Sequence, residues 1–373
     1  MKIAYCIHSF HRIGGKERIL CYKANWLADK MGYEVYIITS NQKGRKPFFE
    51  LSPNVRCIDI GVNDIFFKRR YRKALNSLLN KIRPDVSISL CGPEIFVLDR
   101  CDDGSRKFAE FHFMHDKFHM EYGSRLYARF RTKRLFSKML EYERVVVLSK
   151  YDLDWFRKLA ESRGMNPEKI QQIYNPTTIS SGQVSPLDAK RFLCVGSLRP
   201  EKDFSNAVRI WKKVILKHPD WILDIYGDGP ELSRLSALII AEHLEESVFL
   251  RGKSQNPSKE YPKASGLLMT SRYEGLPLVA IEAMCFGLPI VAFNCPGGLP
   301  ELVDSGSNGF LTAPGDIDNA AAKVCALIED ASLRHEFARY SLKRIGELNP
   351  ESIMRQWDGL LHSPVISRNG ISG

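Results

Sequence analysis

The sequence has no long apolar run, and this absence excludes a membrane-spanning helix. A helix that crosses a bilayer needs about 20 consecutive apolar residues, and no run among the 373 residues approaches that length. The first residues, "MKIAYCIHSFHRIGG", also lack the apolar segment and the small-residue cleavage site of a signal peptide. They are typical of a first β-strand, and we expect a cytoplasmic protein.

The nine cysteines are scattered, and no two of them form a C-x-x-C pair. Several lie in strand-like or helix-like runs such as "YCI" and "FLCVG", where unpaired cysteine acts as a small hydrophobic residue. Disulfide frameworks belong to oxidising compartments. We therefore expect no disulfide framework, which agrees with a cytoplasmic location.

A complete metal-binding pattern is also absent, although histidines cluster in "HFMHDKFH". This stretch holds His112, His115 and His119, and His8 and His11 lie near the N-terminus. No cysteine or acidic ligand completes a zinc pattern, and H-E-x-x-H does not occur. We expect no metal, and we interpret His115 and His119 as loop or surface residues.

Basic charge is plentiful and unevenly distributed. The net charge is +11, and residues 1–180 hold 33 lysines and arginines against 20 acidic residues. Much of the excess lies in two runs, 68–73 and 125–138, and the second also contains Leu126, Phe130 and Phe136. Such a helix binds an anionic membrane surface, or it is simply a solvated helix face. Nucleic acid is a third alternative, but no nucleic-acid-binding motif accompanies the charge.

The length and the hydrophobic pattern predict two α/β domains. A chain of 373 residues exceeds one ordinary core, and short apolar runs alternate with helical patterns, which indicates parallel sheets. The alternation stops in the turn-rich segment 173–190 and then restarts. We expect domains over 1–180 and 181–350. Loops at the carboxyl ends of their strands would meet ligands in a cleft between the domains.

The strands and helices follow from these runs. The predicted strands cover residues 2–7, 34–40, 55–60, 85–90, 107–113 and 144–149, then 191–198, 221–227, 248–252, 266–270 and 289–294. The predicted helices cover residues 16–31, 70–82, 124–141 and 151–162, then 204–217, 230–243, a helix from Pro277 and a last one near 351–361.

Two polar loops of the second domain have residues suited to phosphate. "GSLRPEKDF" (196–204) contains Arg199 and Lys202 between a strand and a helix, where fixed cations suit a diphosphate. In "YGDGPE" (226–231), Gly227 permits close approach of the backbone. Each loop alone is more typical of an ordinary protein surface than of a phosphate site.

The most specific pattern is "SRYEGLPLVAIEAM" (271–284), in which Glu274 and Glu282 flank a helix start. Pro277 is favoured in a first turn, and Gly275 and Leu276 would offer free backbone N–H groups there. Glu282 would lie about 7.5 Å along the helix. Because a carboxylate accepts hydrogen bonds from vicinal hydroxyls, two glutamates at this spacing suit two sugars joined by a diphosphate.

Together these loops resemble the donor-site signatures of glycosyltransferase family 4, whose members are retaining enzymes. They have the GT-B fold, which consists of two Rossmann-like doubly wound domains facing a central cleft. The resemblance rests on Arg199 with Lys202, on the Glu274–Glu282 pair, and on "NCPGGLPELV" (294–303), a glycine-rich loop before Glu301. It also includes "RIGGKER" (12–18) and "IYNP" (173–176), so it covers nearly the whole chain.

The resemblance implies a role for each matching position. Arg199 and Lys202 would bind the donor diphosphate, Glu282 the ribose hydroxyls and Glu274 the transferred sugar, while His112 would lie near the reacting sugar. The residues that would complete the donor site are Gly227, Gly252, Gly275, Leu276 and Pro277. The residues expected on the acceptor side are Gly14 and Gly15. The last helix, from about 351, would return to the first domain.

The implied function is transfer of a hexosyl group from a nucleotide-sugar to a saccharide hydroxyl, with retention of configuration and without cofactor or metal. By resemblance the donor is a UDP-sugar, and residues 251–254 are the expected contact with the base. The process would be assembly of bacterial surface polysaccharide or lipopolysaccharide. The basic first half favours a lipid-linked or anionic saccharide acceptor and a peripheral position at the inner face of the cytoplasmic membrane.

Two other classes of protein remain as alternatives. An NAD(P)-type oxidoreductase would also be α/β, but its first turn should contain G-x-G-x-x-G, which "HSFHRIGGKE" lacks. A basic nucleic-acid-binding module would account for the charge but not for the polar loops of the second half. We expect no nucleic-acid partner.

Overall fold

The structure is a computed structural model that describes residues 1–62, 68–121, 124–179, 183–254, 257–367 and 370–371. The chain divides into two compact units. Unit 1 comprises Met1–Thr178 and Pro350–Gly373, and unit 2 comprises Ile179–Asn349. The division falls two residues before the predicted boundary at 180, in the turn-rich segment, and the last helix belongs to unit 1.

Each unit contains one parallel sheet. The strands of unit 1 are β1 (Lys2–Ile7), β2 (Glu34–Thr39), β3 (Val55–Asp59), β4 (Val86–Ser89), β5 (Arg106–Glu110), β6 (Arg144–Val147) and β7 (Ile170–Gln172). Those of unit 2 are β8 (Arg191–Val195), β9 (Ile222–Tyr226), β10 (Val248–Gly252), β11 (Gly266–Met269), β12 (Ile290–Phe293) and β13 (Gly309–Thr312). Near the C-terminus, β14 (Ile366–Ser367) and β15 (Gly370–Ile371) pair antiparallel.

The helices alternate with the strands, as the sequence predicts. In chain order they are α1 (Gly15–Asp29), α2 (Lys68–Ile82), α3 (Lys117–Glu121), α4 (Arg125–Met139), α5 (Lys150–Glu161), α6 (Phe204–Val214), α7 (Leu232–Ala241), α8 (Leu278–Cys285), α9 (Leu299–Leu302), α10 (Ile317–Glu329), α11 (Ala331–Ile345) and α12 (Pro350–His362). Serine caps begin two of them, since Ser124 accepts from Tyr127 N and Ser149 from Asp152 N.

In both sheets the strand order reverses at one point. The orders are β3-β2-β1-β4-β5-β6-β7 in unit 1 and β10-β9-β8-β11-β12-β13 in unit 2. Ligands of such sheets bind beyond the carboxyl ends of the strands where the order reverses, next to β1 and β4 or next to β8 and β11. The sheets therefore indicate one candidate position in each unit.

The buried faces of the helices make a separate core in each unit. In unit 1, Tyr71, Leu75 and Leu79 of α2 and Phe136 and Met139 of α4 pack with the strands. Strands β4 and β6 are buried along their whole length, as expected for strands covered on both faces. In unit 2, Trp211 of α6 is fully buried, and Trp221 lies in the same core.

Helix α12 packs within unit 1 through several different contacts. The ring of Trp357 lies 3.5 Å from Lys23 Nζ of α1, and Arg106 Nη1 of β5 donates to the Leu361 carbonyl at 2.8 Å. Tyr33 donates a hydrogen bond to Asp358. The last helix thus completes the N-terminal unit, although more than 170 residues separate it from the rest of that unit.

The structure differs from the sequence prediction at strand ends, in two edge strands, and in helices α10 and α11, which were not predicted. Strand β5 ends at Glu110 rather than at residue 113, so His112 lies in the following loop. Strands β7 and β13, both at sheet edges, were not predicted. All nine cysteines are unpaired, and eight of them are buried. None of the helices within the described ranges is long and apolar enough to cross a membrane.

Candidate functional site

The candidate site of unit 2 lies where its strand order reverses. Strand β8 is followed along the chain by its neighbour β9, whereas β11 is followed by its neighbour β12 on the opposite side. The loop after β8 contains Arg199 and Lys202, and the loop after β11 contains Glu274. Tertiary structure therefore brings together two loops that lie 70 residues apart in sequence.

Lys202 and Glu274 form a direct ion pair in this site. Lys202 Nζ lies 2.5 Å from Glu274 Oε1, and Ser271 Oγ donates to the same oxygen at 2.6 Å. Glu274 is only 8% exposed, so its charge needs these partners. The cation predicted for the diphosphate and the carboxylate predicted for the sugar are thus immediate neighbours.

The loop after β8 is held in place by the loop after β11. Thr270 Oγ1 lies 3.0 Å from the carbonyl oxygen of Lys202 and 2.9 Å from that of Asp203, and its one proton is shared between them. Arg272 N donates to the Glu201 carbonyl at 2.8 Å. Because Asp203 adopts a left-handed backbone conformation with φ 49°, these bonds stabilise a turn that a non-glycine residue seldom makes. Lys202 is therefore well fixed.

Backbone N–H groups are available next to Glu274. Within the described part of the chain, neither Gly275 N nor Leu276 N donates a hydrogen bond. The loop itself is anchored, because Gly298 N donates to the Gly275 carbonyl at 2.8 Å and Glu274 pairs with Gly297 in a short parallel bridge. A Cβ atom on Gly298 would lie 2.5 Å from that carbonyl oxygen, so this close approach requires glycine.

Glu282 is the fifth residue of α8, at the depth in the helix that the sequence predicts. It is buried, and Tyr261 donates its hydroxyl proton to Glu282 Oε2 at 2.6 Å. The Tyr261 ring stacks on Phe286, with 5.4 Å between ring centroids. Pro277 precedes the helix as its N-cap rather than occupying its first turn. Nothing in the sequence indicated Tyr261, because only the fold brings it to Glu282.

Two predicted donor-site glycines serve the packing of the loops. Gly227 N donates to the Gly252 carbonyl at 2.8 Å, and a Cβ on Gly227 would lie 1.8 Å from the Gly196 carbonyl oxygen. Gly252 has a φ of 70°, in the region that favours glycine. These glycines allow the loops after β8, β9 and β10 to approach closely.

The two arginines of the predicted donor site differ in their surroundings. Arg251, in the stretch expected to contact the base, donates from Nε to Asp224 Oδ1 at 2.6 Å, and its guanidinium lies 4.4 Å from the Phe249 ring centroid. Arg199 is exposed and forms no ion pair with any residue that the structure describes. Arg199 is therefore available for an anion, while Arg251 is already bound by Asp224.

In unit 1, His112 lies beside a buried ion pair that the sequence did not predict. Lys23 Nζ lies 2.7 Å from both carboxylate oxygens of Glu110, and His112 Nε2 lies 3.2 Å from Glu110 Oε1 without the alignment of a hydrogen bond. Burial raises the pKa of Glu110, but Lys23 and His112 outweigh it and hold the pKa at about 2. The charged residue within "AEFHF" was the available signal, because a buried strand seldom carries an unpaired carboxylate.

The surface or loop assignment of His115 was wrong in one respect, because its side chain is buried. Its ring is stacked between Tyr151 and Trp155, with centroid distances of 4.7 and 4.5 Å, and Nδ1 lies 2.8 Å from Asp152 Oδ1. The loop after β5 packs against α5, which supplies all three partners. His119 is exposed on α3.

The two acceptor-side glycines lie at the start of α1. Gly14 is the N-cap and Gly15 is the first residue of the helix. A Cβ on Gly14 would meet the Glu17 carboxylate at 2.2 Å, so Glu17 occupies the space beside this turn. No group of three or more His, Cys, Asp or Glu residues within the described ranges could hold a metal ion. The expectation that the reaction needs none stays a prediction.

Comparison with known sequences identifies a family that this chain matches. Residues 177–344 match the family described as glycosyl transferases group 1. An uncharacterized glycosyltransferase of Haemophilus influenzae is 30% identical over 364 residues, which are 96% of this chain and 99% of that protein. The poly(glycerol-phosphate) alpha-glucosyltransferase of Bacillus subtilis is 26% identical over 251 residues, but these are only 37% of its own length.

Comparison with solved structures agrees with the family match. Staphylococcus aureus TarM, solved with fondaparinux, alpha-GlcNAc-glycerol and UDP, superposes with a TM-score of 0.80 at 16% identity over 97% of this chain and 100% of that one. Anabaena HepE in complex with UDP gives 0.77 at 18% identity over 97% and 99%. The prediction of a two-domain α/β protein with the GT-B fold is confirmed.

Proposed function

Because the chain belongs to the group 1 glycosyltransferases, we propose that it transfers a hexosyl group from a nucleotide-sugar to a saccharide hydroxyl, with retention of configuration. The observation that carries this proposal is the Lys202–Glu274 pair, which lies where the strand order of unit 2 reverses. A cation, a carboxylate and two free backbone N–H groups there match a sugar attached to a diphosphate.

In this proposal the donor is held at three points of unit 2. Lys202 and the exposed Arg199 bind the diphosphate, Glu282 binds the ribose hydroxyls, and Glu274 binds the hydroxyls of the transferred sugar. Glu282 has one carboxylate oxygen engaged by Tyr261, which orients the side chain. The N–H groups of Gly275 and Leu276 contact the sugar or the phosphate.

The proposed reaction breaks the bond between the anomeric carbon and the phosphate oxygen and forms a bond to the acceptor oxygen on the same face. The acceptor proton passes to the leaving phosphate. Negative charge grows on that phosphate in the transition state, so Lys202, Arg199 and the amino end of α8 stabilise it. Glu274 positions the sugar and is not the nucleophile. The proposal includes no metal ion and no cofactor.

Unit 1 supplies the acceptor side. His112 follows β5, and we assign it a place near the reacting sugar, next to the Lys23–Glu110 pair that fixes its surroundings. Gly14 and Gly15 lie at the carboxyl end of β1, the strand where the order of this sheet reverses. Gly15 is exposed, so its backbone is accessible to an acceptor, while Glu17 lies against Gly14.

We propose a UDP-sugar as donor and a bacterial surface polysaccharide or lipopolysaccharide precursor as acceptor. The similar structures of TarM and HepE were solved with UDP. Named relatives include a lipopolysaccharide 1,6-galactosyltransferase of Salmonella typhimurium and an amylovoran biosynthesis glycosyltransferase of Erwinia amylovora. These names support the substrate class and leave the sugar open.

A peripheral position at an anionic membrane is part of the proposal. On helix α4, Leu126 is 82% exposed and Phe130 is 59% exposed. The basic side chains of Arg129, Lys133 and Arg134 on the same helix are also exposed. Apolar side chains flanked by cations are typical of helices that lie in the membrane interface.

A donor screen tests the proposed function. Thermal shift with UDP, GDP and ADP identifies the nucleotide, and release of nucleotide from the matching sugar donors, with and without saccharide acceptors, measures turnover. Stabilisation by one nucleoside diphosphate together with acceptor-dependent release is expected. Analysis of the anomeric configuration of the product tests retention. Absence of both nucleotide binding and release would contradict the proposal.

A further inference from the structure

Five basic side chains lie at one edge of the unit 1 sheet, outside the residues assigned above. Four are on two neighbouring loops, and Lys16 is in the first turn of α1. Arg12 and Lys16 follow β1, and Lys43, Arg45 and Lys46 follow β2. Strands β1 and β2 are parallel, with Ile7 opposite Thr39, so both loops leave the same edge of the sheet side by side. Lys16 is half-buried and the other four are exposed.

These cations lack acidic partners. Within the described part of the chain none of the five forms an ion pair with a carboxylate, and Arg45 contacts only the His11 ring, at 3.3 Å between Nη1 and Nε2. Other basic residues of unit 1 are paired, as in the Arg106–Glu143 and Arg56–Glu34 bridges. The five basic side chains therefore lack a direct ion-pair partner among the described residues.

Three carboxylates belong to the same region but do not neutralise it. Asp59, at the end of β3, accepts from Thr39 Oγ1 at 2.8 Å and from Gln42 N at 3.0 Å through the same Oδ1 atom. Glu17 is in the first turn of α1, against Gly14. Glu94, buried after β4, is a third carboxylate of this region, because burial raises its pKa and Lys16 lowers it. Two positive charges remain in excess after all three are counted.

Hydrogen bonds fix the two loops to each other. His8 Nδ1 lies 2.6 Å from Ser40 Oγ, Asn41 N donates to the His8 carbonyl at 3.1 Å, and Phe10 N donates to Gln42 Oε1 at 3.0 Å. These hydrogen bonds hold the two loops, and the cations on them, in a fixed position relative to each other. A preorganised cluster loses less conformational freedom when an anion binds.

The same basic side chains lower the pKa values of two nearby histidines. Burial lowers the pKa of His8, and Lys43, Arg12 and Lys16 lower it further. The pKa of His11 is lowered by burial and then by Arg45, Arg12 and Lys43. These shifts disfavour the protonated form of both imidazoles, and His11 Nε2 accepts the hydrogen bond from Arg45. The positive field of the loops therefore comes mainly from lysine and arginine.

We propose that the loops after β1 and β2 bind an anionic acceptor, a chain of hydroxyl-bearing units that carries phosphate or carboxylate groups. The proposal rests on the glycosyl transfer proposed above and assigns the chemical class of its acceptor. A single phosphate contacts two or three cations, whereas five cations at one sheet edge match an anion with several charges. Their field also raises the rate of encounter with such a chain.

Fluorescence anisotropy with labelled hexamers tests this proposal directly. The probes are a glycerol-phosphate hexamer, a galacturonic acid hexamer and neutral maltohexaose. We expect binding of at least one anionic hexamer that weakens as salt increases, with the preferred probe showing which anion is recognised, and no binding of the neutral one. Equal affinity for all three hexamers would overturn the proposal.

A matched pair of variants locates the binding site. The triple variant R12Q/K43Q/K46Q removes three charges from the two loops, and R69Q/R70Q/K73Q removes three exposed charges from α2 of the same unit. The first should raise the Kd of the anionic hexamer by on the order of tenfold and reduce its salt dependence, while the second should not. If both variants lost the same affinity for the anionic hexamer, the effect would come from the net charge of the protein, and the assignment of the site would be wrong.

Two further measurements separate this inference from the proposed function. UDP binding is measured on the same wild-type preparation, so binding of the anionic hexamer without any nucleotide binding would contradict only the glycosyl transfer. Normal UDP binding with a hexamer affinity that does not depend on the five cations would contradict only the anion site. If R12Q/K43Q/K46Q lost binding to anionic vesicles but kept its hexamer affinity, the loops would bind a membrane and the inference would be wrong.

Discussion

Lys202 Nζ and Glu274 Oε1 lie 2.5 Å apart, although their loops follow two different strands of unit 2. The pair joins the residue proposed for the diphosphate to the residue proposed for the sugar. A donor that binds there must share Lys202 with Glu274 or take it over, while Ser271 keeps Glu274 in place. The two partners should therefore respond differently to substitution.

Substitutions on the two sides of this pair test the division of roles. Lys202→Met should lower UDP affinity about tenfold to a hundredfold, because a charge-assisted contact with the diphosphate is lost. Glu274→Gln should leave UDP affinity unchanged or increase it, because Lys202 is released, but should strongly lower turnover of the UDP-sugar. Isothermal titration and nucleotide-release assays measure both effects.

The control is Lys212→Met, which removes an exposed lysine paired with Glu242 elsewhere in unit 2. It should change neither UDP affinity nor turnover. Parallel losses of UDP affinity in Lys202→Met and Glu274→Gln would show that the pair only stabilises the loop.

Glu282 should report on the ribose of the donor. Glu282→Ala should weaken UDP binding on the order of tenfold, whereas Tyr261→Phe, which removes only the 2.6 Å hydrogen bond and keeps the stacking on Phe286, should weaken it a few fold. Titration with 2′,3′-dideoxy-UDP makes the test specific. If Glu282 binds the ribose hydroxyls, Glu282→Ala should have little effect on the affinity for this analogue, which lacks them. If Glu282→Ala weakened binding of the analogue as much as binding of UDP, the assignment would be rejected.

The buried Lys23–Glu110 pair should stabilise unit 1 only as a pair. Lys23→Met should cost about 3–5 kcal/mol of unfolding free energy, because it leaves the buried Glu110 carboxylate without its lysine partner. The double variant Lys23→Met/Glu110→Met should recover most of that loss. Urea unfolding at pH 7 measures both, and a double variant as unstable as the single one would contradict this account.

The same pair predicts a pH dependence. Glu110 has a folded pKa of about 2, below the ordinary value of about 4.3 for an unfolded glutamate. The ionised Glu110 therefore contributes fully to the free energy of unfolding above the unfolded pKa. This contribution is lost as the pH falls from about 4.3 towards 2. Between pH 5 and pH 3 the wild-type protein should lose more stability than the double variant. Identical slopes in the pH dependence of stability across this range would show that the fold does not lower the pKa of Glu110.

The exposed face of α4 should bind anionic membranes. Leu126→Ser/Phe130→Ser should reduce the fraction of protein that sediments with vesicles containing anionic lipid. Arg129→Gln/Lys133→Gln should weaken the free energy of vesicle binding by about 1 kcal/mol per charge at low salt. Leu216→Ser, which removes a leucine 80% exposed in unit 2, serves as control. Vesicle binding that is unaffected by either α4 variant would identify this face as an ordinary solvated surface.

The sequence by itself determined the two α/β domains and indicated most of the residues of the proposed donor site. Apolar runs fixed the buried strands, since their period and length allow few alternatives, and Glu274 and Glu282 were identified because acids seldom flank an apolar helix start. Edge strands β7 and β13 were missed because they are short and weakly patterned. The same local reasoning assigned His115 to a loop or the surface, although α5 buries its ring.

Only the tertiary structure decided which residues meet. Thr270 holds the backbone at Lys202 because parallel strands bring the loops at their carboxyl ends to one edge of the sheet. Tyr261, in the segment before β11, reaches Glu282 of α8. Lys23 meets Glu110 because α1 packs over β5 within unit 1. Local sequence patterns reflect the preferences of neighbouring residues, whereas these contacts join segments up to 87 residues apart, and their geometry follows from the packing of the whole unit.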